Sequence, residues 1–502
     1  MQKDLIGIEY LNRIKTYEFT DEEKNLNNKE NINETRMKII NKQIDEADNK
    51  NNLNKYIIYW MQQSCRTKYN HALEFAIKRA NLSKLPLIVY FGLTKDYKEA
   101  NERHYTFLLE GLKDVQDELF KRNIKFIMVL DNPKDGLIKF LDDAKELVMD
   151  RGYLKIQRLW REQVLNYANK IKLNSYIVES DVIVPIEEVS SKEEYGARTI
   201  RKKIHDKLDL YLKPLREEKI NINIDKKLEE LISKKHKNIV KIDSIDELLK
   251  DFDIDKTVKK SKYYKGGQKR ALKVFKDFLE NKLTDYDKRN HPELDYCSNL
   301  SMYLHFGQIS VLYIVLKTMD YYKNNYIKQD SYDSFLEEII VRRDLAINFV
   351  YYNNYYDDFR SITYNWAYET MDKHKTDYRE YEYSLDDIEN YKTHDKYFNA
   401  AMKEMVLTGK MHTYMRMYWC KKILEWVSPY KKAYDISLYL NNKYFIDGRD
   451  ANSYTGVAWC FGKHDRAFKE REVFGKLRYM NDKGLKRKFD MDLYIKKIDK
   501  LK

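Results

Sequence analysis

Two kinds of apolar periodicity divide the chain near residue 265. Before that point, short runs of β-branched and aromatic residues alternate with longer stretches in which apolar residues recur every three or four positions. The short runs predict buried strands, and the longer stretches predict amphipathic helices. The predicted strands are 55–61, 85–93, 124–130, 147–153 and one more within 175–189, and the predicted helices are 67–83, 104–123 and 136–147. This alternation predicts an α/β domain with a parallel, Rossmann-like sheet.

After residue 265 almost every stretch has helical periodicity. The predicted helices are 270–283, 301–322, 334–356, 397–409 and 415–427. The first 52 residues are rich in Asn, Lys, Asp and Glu and lack a sustained apolar period, which predicts a mobile tail. The chain is therefore predicted to have four parts: the tail (1–52), the α/β domain (53–190), a charged and largely helical connector (191–260) and an all-helical C-terminal domain (261–502).

Composition narrows the class of protein only modestly. The 93 Lys and Arg residues exceed the 80 Asp and Glu residues, and the net charge of +13 favours a polyanionic partner such as nucleic acid. An AT-rich genome produces a similar Lys excess. The four cysteines have neither CxxC nor Cys/His metal spacing, so we expect neither a disulfide framework nor a metal site. No apolar run approaches the roughly 20 residues of a membrane span, and the N-terminus lacks a signal-peptide core, so we expect an intracellular protein that is not secreted.

Candidate chemistry lies in the helical half, because the α/β half contains neither GxGxxG nor GxxxxGK[ST]. Ser298, Asn299 and Ser301 precede an apolar helix, where such side chains cap the helix or, at an open end, bind phosphate. Glu338 and Arg342 are four residues apart on one predicted helix. That spacing fits an exposed ion pair, or a partly buried pair whose carboxylate faces a ligand.

The stretch 409–480 mixes aromatic, Met and ionisable residues more closely than a core helix normally does. Arg416 and Asp447 are candidates for an ion pair that lies over a ring. Three tryptophans fit stacking on such a ring or an electron relay: Trp419, Trp426 and Trp459. Trp419 and Trp426 are seven residues apart and share a helix face, and such aromatic pairs are more often plain core. Together these residues predict a site that holds a large flat organic group and also manages charge.

Several motifs, in their order along the chain, resemble those of class II cyclobutane pyrimidine dimer photolyases, of the photolyase/cryptochrome family. They include YWMQQSCRTKYNHALEFA, SNLSMYLHFGQIS, GKMHTYMRMYWCKKILEW and LNNKYFIDGRDANSYTGVAW. The resemblance extends from about Tyr56 to about Asp492. It implies FAD, active as the fully reduced anion and bent into a U shape in the helical half. It also implies a monomer that binds DNA containing pyrimidine dimers, splits them in light and does not engage a membrane. It leaves open whether the α/β domain carries an antenna chromophore, and which one.

By matching motif positions, the resemblance also implies roles for individual residues. The implied FAD-binding residues are Tyr264, Ser298, Asn299, Leu300, Ser301, Arg342, Arg416, Asn441 and Asp447. The implied catalytic residues are Glu338, Asn441, Arg416, Asp447, Trp419 and Trp426, with Glu337 as the alternative to Glu338 for the carboxylate that hydrogen-bonds the dimer. The implied dimer-binding residues are Arg289, Asn290, Met417 and Trp459.

One position departs from the family pattern. Related sequences tend to carry Trp where this chain has Phe398, and that Trp resembles the middle step of the relay that reduces the flavin through Trp419. Phenylalanine is much harder to oxidise than tryptophan. We therefore expect slow photoreduction, or a detour through Tyr397 or another tyrosine, with normal repair once the flavin is reduced.

Three other functions remain open at this stage. A cryptochrome-like blue-light sensor would share the fold without repair activity, and a 6-4 photolyase would act on another lesion. A non-catalytic DNA-binding protein would keep the fold with an empty flavin pocket. The colour of the purified protein separates the last of these, since bound flavin is yellow or blue and an empty module is colourless.

Overall fold

The computed structural model describes residues 32–41, 55–250 and 252–501. Within them, seven strands form one sheet in the order β1-β6-β5-β2-β3-β4-β7. The strands are β1 Met37–Asn41, β2 Tyr56–Trp60, β3 Leu87–Gly92, β4 Lys125–Val129, β5 Ala144–Asp150, β6 Asn174–Val178 and β7 Ile239–Val240. The five inner strands pair in parallel, which confirms the predicted α/β class. Both edge strands run antiparallel to their neighbours, which the sequence analysis did not predict.

Strand β1 lies within residues 1–52, where the sequence predicts a mobile or loosely helical tail. It pairs with β6 from Met37 opposite Val178, and the buried Arg36 beside it donates to the carbonyl oxygen of Val182 at 3.0 Å. A short edge strand buries few apolar side chains, and Ile39 is half exposed, so its sequence carries little strand signal. The rest of the predicted tail, 1–31 and 42–52, lies outside the described residues.

Helices cover both faces of the sheet, as a parallel sheet requires. They are α1 His71–Ser83 and α2 Glu102–Lys121 on one face, and α3 Pro133–Leu141 and α4 Lys155–Lys170 on the other. The helix predicted over 136–147 is too long, because α3 ends at Leu141. Ala144 already pairs with Tyr56 of β2, so strand pairing overrides the local helical periodicity there.

The charged connector packs against the α/β domain more closely than its composition suggests. Its elements, with a short helix before it, are α5 Ile186–Val189, α6 Ala197–His205, α7 Leu208–Tyr211, α8 Lys226–Lys235, β7 and α9 Ile245–Lys250. Strand β7 pairs with β4 and extends the sheet. Ile242, Leu249 and Phe252 are buried in the core under α1 and α2. The connector therefore contributes both an edge strand and core residues to the α/β domain.

The second half of the chain is helical, as predicted. Its helices are α10 Gln268–Asn281, α11 Ser301–His305, α12 Val311–Asn324, α13 Gln329–Leu336, α14 Arg343–Tyr352, α15 Asn365–Lys373, α16 Leu385–Glu389, α17 Lys396–Thr408, α18 Thr413–Trp426, α19 Tyr430–Tyr444, α20 Ala451–Cys460, α21 Asp482–Lys488 and α22 Met491–Asp499. Two apolar clusters form its core. Among the described residues, no helix has the length and apolar character needed to cross a bilayer.

Two predicted helices are interrupted, and both interruptions matter for the site. The helix predicted over 301–322 breaks at Gly307, which has φ +63°. A Cβ there would lie 2.0 Å from the carbonyl oxygen of Gln63, so only glycine allows this close approach to the α/β domain. The helix predicted over 334–356 contains a π turn, Glu337–Arg342, between α13 and α14.

Candidate functional site

An open cavity lies inside the helical half, bordered by α11, the π turn and helices α14, α18, α19 and α20. It encloses about 1470 Å³ including its open mouth. Ten residues singled out from the sequence line it: Ser298, Leu300, Ser301, Glu338, Arg416, Met417, Trp419, Asn441, Asp447 and Trp459. Tyr264, Asn299, Arg342, Trp426, Arg289 and Asn290 lie outside this lining. The structure therefore brings together most of a set spread over more than 160 positions of sequence.

Arg416 and Asp447 form the ion pair that the sequence analysis anticipated. Nη2 of Arg416 lies 2.8 and 3.1 Å from the two carboxylate oxygens of Asp447, and the guanidinium carbon lies 3.8 Å from the centre of the Phe445 ring. The Arg416 Nε donates to the carbonyl oxygen of Met411 at 3.3 Å. These contacts hold the guanidinium against the cavity wall, where it presents fixed positive charge to a ligand.

Two glycines set the approach of the segments that carry this pair. Gly409 ends α17 with φ +84°, and its carbonyl oxygen accepts from the backbone N–H of Ile446 at 2.9 Å. A Cβ on Gly409 would lie 2.7 Å from the Ile446 side chain. A Cβ on Gly448 would lie 2.9 Å from the carbonyl oxygen of Asn441. The backbone thus brings the start of α18 and the turn after α19 into direct contact.

Asn441 faces the cavity from α19, and its amide is anchored. Its Nδ2 donates to Oδ1 of Asn442 at 3.1 Å, and Nδ2 of Asn442 donates to Oε2 of Glu99 at 2.7 Å. The chain of amides reaches from the cavity to the α/β domain. An amide held in this way offers a fixed polar contact to a ring that enters the cavity.

The π turn decides which of two neighbouring acids faces the cavity. Glu338 lines it and accepts from Nη2 of Arg289 at 3.0 Å. Glu337 points to α6, where Arg201 binds it through two nitrogens at 2.8 and 3.0 Å. Of the two neighbouring carboxylates, Glu338 lines the cavity and Glu337 does not.

The same turn overturns the expected placement of Arg342. In an α-helix Glu338 and Arg342 would share a face, but here the N–H of Arg343 bonds to the carbonyl oxygen of Glu338, an i to i+5 bond. Arg343 therefore lines the cavity, while Nε of Arg342 lies 3.3 Å from Glu337. The predicted pairing of Glu338 with Arg342 is wrong because the inserted residue rotates the helix beyond it.

A polar end of the cavity is formed by Ser298, Leu300, Ser301 and a residue that the sequence analysis missed, Lys410. Asn299 has φ +57°, and its side-chain oxygen accepts from Nζ of Lys410. Burial works against the charge, but Tyr264, Cys297 and Glu404 raise the pKa of Lys410 overall. Tyr264 and Asn299 do not line the cavity, but both interact with Lys410, which does. Its position in the GKM motif was the available signal.

The mouth of the cavity carries Met417 and Trp459. The Arg342 guanidinium lies 5.6 Å from the Trp459 ring centre. Arg289 stands behind Glu338 and also donates to Oγ of Ser334 at 2.5 Å. Asn290 lines an adjoining surface depression that shares Met417 with the cavity. Of the four residues expected to bind a dimer, Met417 and Trp459 line the cavity, Arg289 contacts Glu338, and Asn290 lines the adjoining depression.

Trp419 lines the cavity, and Trp426 lies farther along α18 in the core. The Trp419 ring centre is 6.4 Å from that of Phe445. The Trp426 ring packs edge-on against Phe398 at 4.9 Å. Nε1 of Trp419 is buried and has no hydrogen-bond partner in the described part of the chain. This is unusual for a buried indole, and it leaves a donor at the cavity wall.

The lining fits a flavin nucleotide. Cationic and hydroxyl groups at one end suit a diphosphate, and the anchored ion pair with Asn441 suits a flat polar ring. Further polar residues of the lining, which the sequence analysis did not single out, are Arg343, Lys410, Thr413, Asn452 and Ser453. Within the described ranges, including this cavity, no group of three or more His, Cys, Asp or Glu side chains could hold a metal ion.

A second cavity, of about 1080 Å³ with its opening, lies at the carboxyl ends of β2, β3 and β5. Seven aromatic residues contribute to its wall: Trp60, Phe91, Tyr97, Tyr105, Tyr153, Trp160 and Phe306. His305, Arg343 and Asp450 line both cavities. Burial alone would raise the pKa of Asp450, but the bonds from His305, at 3.2 Å, and from Asn452 lower it to about 2. A thin polar wall therefore separates the two cavities.

Comparison with known proteins identifies relatives of this chain. Residues 57–219 match the family model described as DNA photolyase. The chain is 47% identical to the deoxyribodipyrimidine photo-lyase of Methanothermobacter thermautotrophicus, with 88% of this chain and 94% of that protein covered. It is 36% identical to the Potorous tridactylus photo-lyase (93% and 85% covered) and 38% identical to that of Arabidopsis thaliana (89% and 89%).

Solved structures agree on the fold. A class III photolyase from Agrobacterium tumefaciens superposes with a TM-score of 0.66 at 16% identity, covering 89% of this chain and 86% of that one. An archaeal photolyase from Sulfolobus tokodaii, solved with two FAD molecules, gives 0.63 at 16%, covering 88% and 89%. At such identity the likeness concerns the fold alone. The sequence relatives carry the assignment: with 36–47% identity across 88–93% of its length, this chain belongs to the DNA photolyase family.

Proposed function

We propose that this protein is a class II photolyase that repairs cyclobutane pyrimidine dimers in DNA under light. The observation that carries the proposal is that one cavity is lined by residues at the positions of both the flavin-binding and the dimer-binding motifs of the family. The Arg416–Asp447 pair and Asn441 lie inside, and Glu338, Met417 and Trp459 lie toward the mouth. A cofactor and a base in this cavity would be within contact distance of each other.

The deep part of the cavity would hold FAD. Ser298, Ser301, Lys410 and Arg343 would bind the diphosphate, since hydroxyl and cationic donors together suit phosphate oxygens. The Arg416–Asp447 pair and Asn441 would hold the ring by its polar edge. Bound and fully reduced, the flavin would supply the electron for light-driven splitting of the dimer. The protein contributes orientation and fixed dipoles to this chemistry.

The mouth would take the lesion after it leaves the DNA stack. A damaged, poorly stacked pair of bases costs least to flip, which favours dimers over normal DNA. Glu338 would hydrogen-bond the flipped base, and Arg289 would keep that carboxyl in place. Met417 and Trp459 would pack against the faces of the two pyrimidines. Asn290, in the adjoining depression, would contact the strand beside the lesion.

Trp419 and Trp426 would form the relay that reduces the flavin. Trp419 stands at the cavity, and Trp426 lies two helical turns away on the same face of α18. Phe398 occupies the space beside Trp426, where it cannot act as an intermediate oxidised residue. We therefore expect slow reduction by light, with repair unaffected once the flavin is reduced.

The second cavity would hold an antenna chromophore. Its aromatic wall suits a flat conjugated ligand, and it shares His305, Arg343 and Asp450 with the first cavity, so the two ligands would lie close enough for efficient energy transfer. The chemical identity of this ligand is not implied by the lining.

The decisive experiment illuminates the reduced protein with an oligonucleotide that contains a thymine dimer and follows the recovery of thymine absorbance. We expect recovery only with light, reduced protein and damaged DNA together. The same oligonucleotide in the dark, and one with a 6-4 lesion, serve as controls. Light-dependent flavin photochemistry without recovery would favour a cryptochrome-like sensor and overturn the proposal. Colourless protein that takes up no FAD would overturn it too.

A further inference from the structure

A hydrogen-bonded tyrosine and histidine lie at the outer end of α18, away from both cavities. The hydroxyl oxygen of Tyr383 is 2.7 Å from Nδ1 of His394. The same oxygen accepts from the backbone N–H of His394 at 3.0 Å. In the tautomer of His394 that carries its hydrogen on Nε2, Nδ1 accepts the hydroxyl hydrogen of Tyr383. We call these two residues the Tyr383–His394 pair.

The backbone on both sides of the pair is held by helix caps. Tyr383 precedes Ser384, which caps α16, and His394 precedes Asp395, which caps α17. Asn399 of α17 also donates to the carbonyl oxygen of Thr393 at 2.7 Å. The Tyr383–His394 bond is therefore built on two fixed helix ends.

The pair is in direct contact with the outer tryptophan of the proposed relay. The Trp426 ring centre lies 5.1 Å from that of Tyr383 and 5.4 Å from that of His394. Trp426 is buried, Tyr383 is half-buried and His394 is exposed. The order from the cavity outward is thus Trp419, Trp426, Tyr383, His394 and solvent.

Tyr397, the detour considered from the sequence, is placed differently. Its ring is flanked by two lysines, with the amines of Lys396 at 5.2 Å and Lys486 at 5.9 Å from the ring centre. Its buried hydroxyl has no hydrogen-bond partner among the residues that the structure describes. A phenol without a proton acceptor, beside positive charge, is a poor electron donor. Tyr383 has the acceptor that Tyr397 lacks.

We propose that Tyr383 is the terminal electron donor for light-driven reduction of this protein, and that His394 accepts its phenolic proton. Oxidised Trp426 takes one electron from Tyr383, and the Tyr383 O–H bond breaks as the proton passes to Nδ1 of His394. The products are neutral Trp426, a neutral tyrosyl radical and an imidazolium. A small thiol from solution later reduces the radical, and the phenol regains a proton. This inference rests on the proposed function of the cavity.

The proton transfer has a physical purpose in this chain. An oxidised phenol is strongly acidic, so removing an electron from tyrosine without an adjacent base is costly. Once the proton has moved to an exposed imidazole, return of the electron also requires return of the proton. Because Phe398 replaces an oxidisable residue, electron transfer between Trp426 and Trp419 is slow. Proton transfer from Tyr383 to His394 slows the return of the electron and so preserves the reduced flavin.

Transient absorption and electron paramagnetic resonance of the flavin-loaded, oxidised protein after a light flash test the pair. We expect a neutral tyrosyl radical to replace the tryptophan radical, more slowly in D₂O than in H₂O. Tyr383→Phe should leave the oxidised species on tryptophan. His394→Ala should slow tyrosyl formation about 10²-fold, and added imidazole should restore it, which a merely structural role would not produce. Tyr378→Phe is the matched control, because Tyr378 is an exposed tyrosine in a surface depression that His394 and Trp426 also line.

The inference is overturned by a tyrosyl radical that persists in Tyr383→Phe, by an unchanged rate in His394→Ala, or by a wild-type radical that stays on tryptophan. Repair by the same proteins after chemical reduction of the flavin reports separately on the proposed function, since it bypasses the pair. If repair were absent but the tyrosyl radical still formed, photolyase activity would be rejected. The role of Tyr383 and His394 in electron and proton transfer would remain supported.

Discussion

The backbone N–H of Arg343 donates to the carbonyl oxygen of Glu338, five residues earlier in the chain. This bond belongs to a π turn, and it places both side chains at one cavity, while the neighbours Glu337 and Arg342 pair with each other outside it. π turns of this kind occur often at functional sites, because the extra residue re-aims the side chains that follow. Two adjacent pairs of like residues therefore provide matched controls.

Glu338→Gln should lower the quantum yield of dimer repair about tenfold or more, because a hydrogen bond to a charged group contributes about 1.5–3 kcal/mol. Glu337→Gln should leave repair close to wild type, since Glu337 binds Arg201 at a partly exposed surface, where an ion pair contributes about 1 kcal/mol or less. Thymine recovery per absorbed photon is the measurement. Equal loss in both variants would contradict the assignment of Glu338.

Arg343→Gln should weaken FAD binding about tenfold or more, through loss of a charged donor to phosphate. Arg342→Gln should retain FAD, because that guanidinium lies over Trp459 and beside Glu337. Flavin absorbance that remains after gel filtration, together with fluorescence titration of the flavin-free protein, measures the difference. If Arg343→Gln retained FAD and Arg342→Gln lost it, Arg342 would be the residue that binds FAD, as expected from the sequence.

Phe398→Trp should speed reduction of the flavin by light, because it places an oxidisable ring against Trp426. Phe398 is fully buried, so the larger ring should cost about 1–3 kcal/mol of unfolding free energy through overpacking. Phe398→Leu controls for changed packing and should reduce no faster than wild type. Flavin absorbance during illumination with a thiol is the measurement. If Phe398→Trp were photoreduced at the wild-type rate, Phe398 would not be what slows electron transfer along the relay.

Asp450 should make stability depend on pH in the acid range. Its pKa is about 2 in the folded protein against 3.8 as the usual value. A carboxyl group whose pKa is lowered in the folded protein stabilises the fold fully at pH values above its usual pKa. This stabilisation is lost as the pH falls through the pKa of the folded state. We expect the unfolding free energy to decline between pH 4 and pH 2, and Asp450→Asn to flatten that decline. Urea unfolding across this range tests the expectation, and parallel profiles for both proteins would contradict it.

Much of the fold was readable from periodicity. The strands Tyr56–Trp60 and Leu87–Gly92 were predicted because each is buried along its whole length and its sequence is a continuous apolar run. The helix Lys396–Thr408 was predicted nearly to the residue, since it has a regular apolar face and ends at a glycine. The edge strand Met37–Asn41 was missed, because an edge strand owes its formation to its neighbour more than to its own side chains.

The sequence by itself determined the order of elements, the residue types at the site and, through ordered motifs, the family. Only the tertiary structure decided that Glu338 and Arg343 face the cavity, that Lys410 lines it, and that the Tyr383 hydroxyl lies 2.7 Å from Nδ1 of His394. The physical reason is that periodicity reports which residues are buried along one element. The rotation of a helix after a π turn, and contacts between separate helix ends, depend on how several elements pack together.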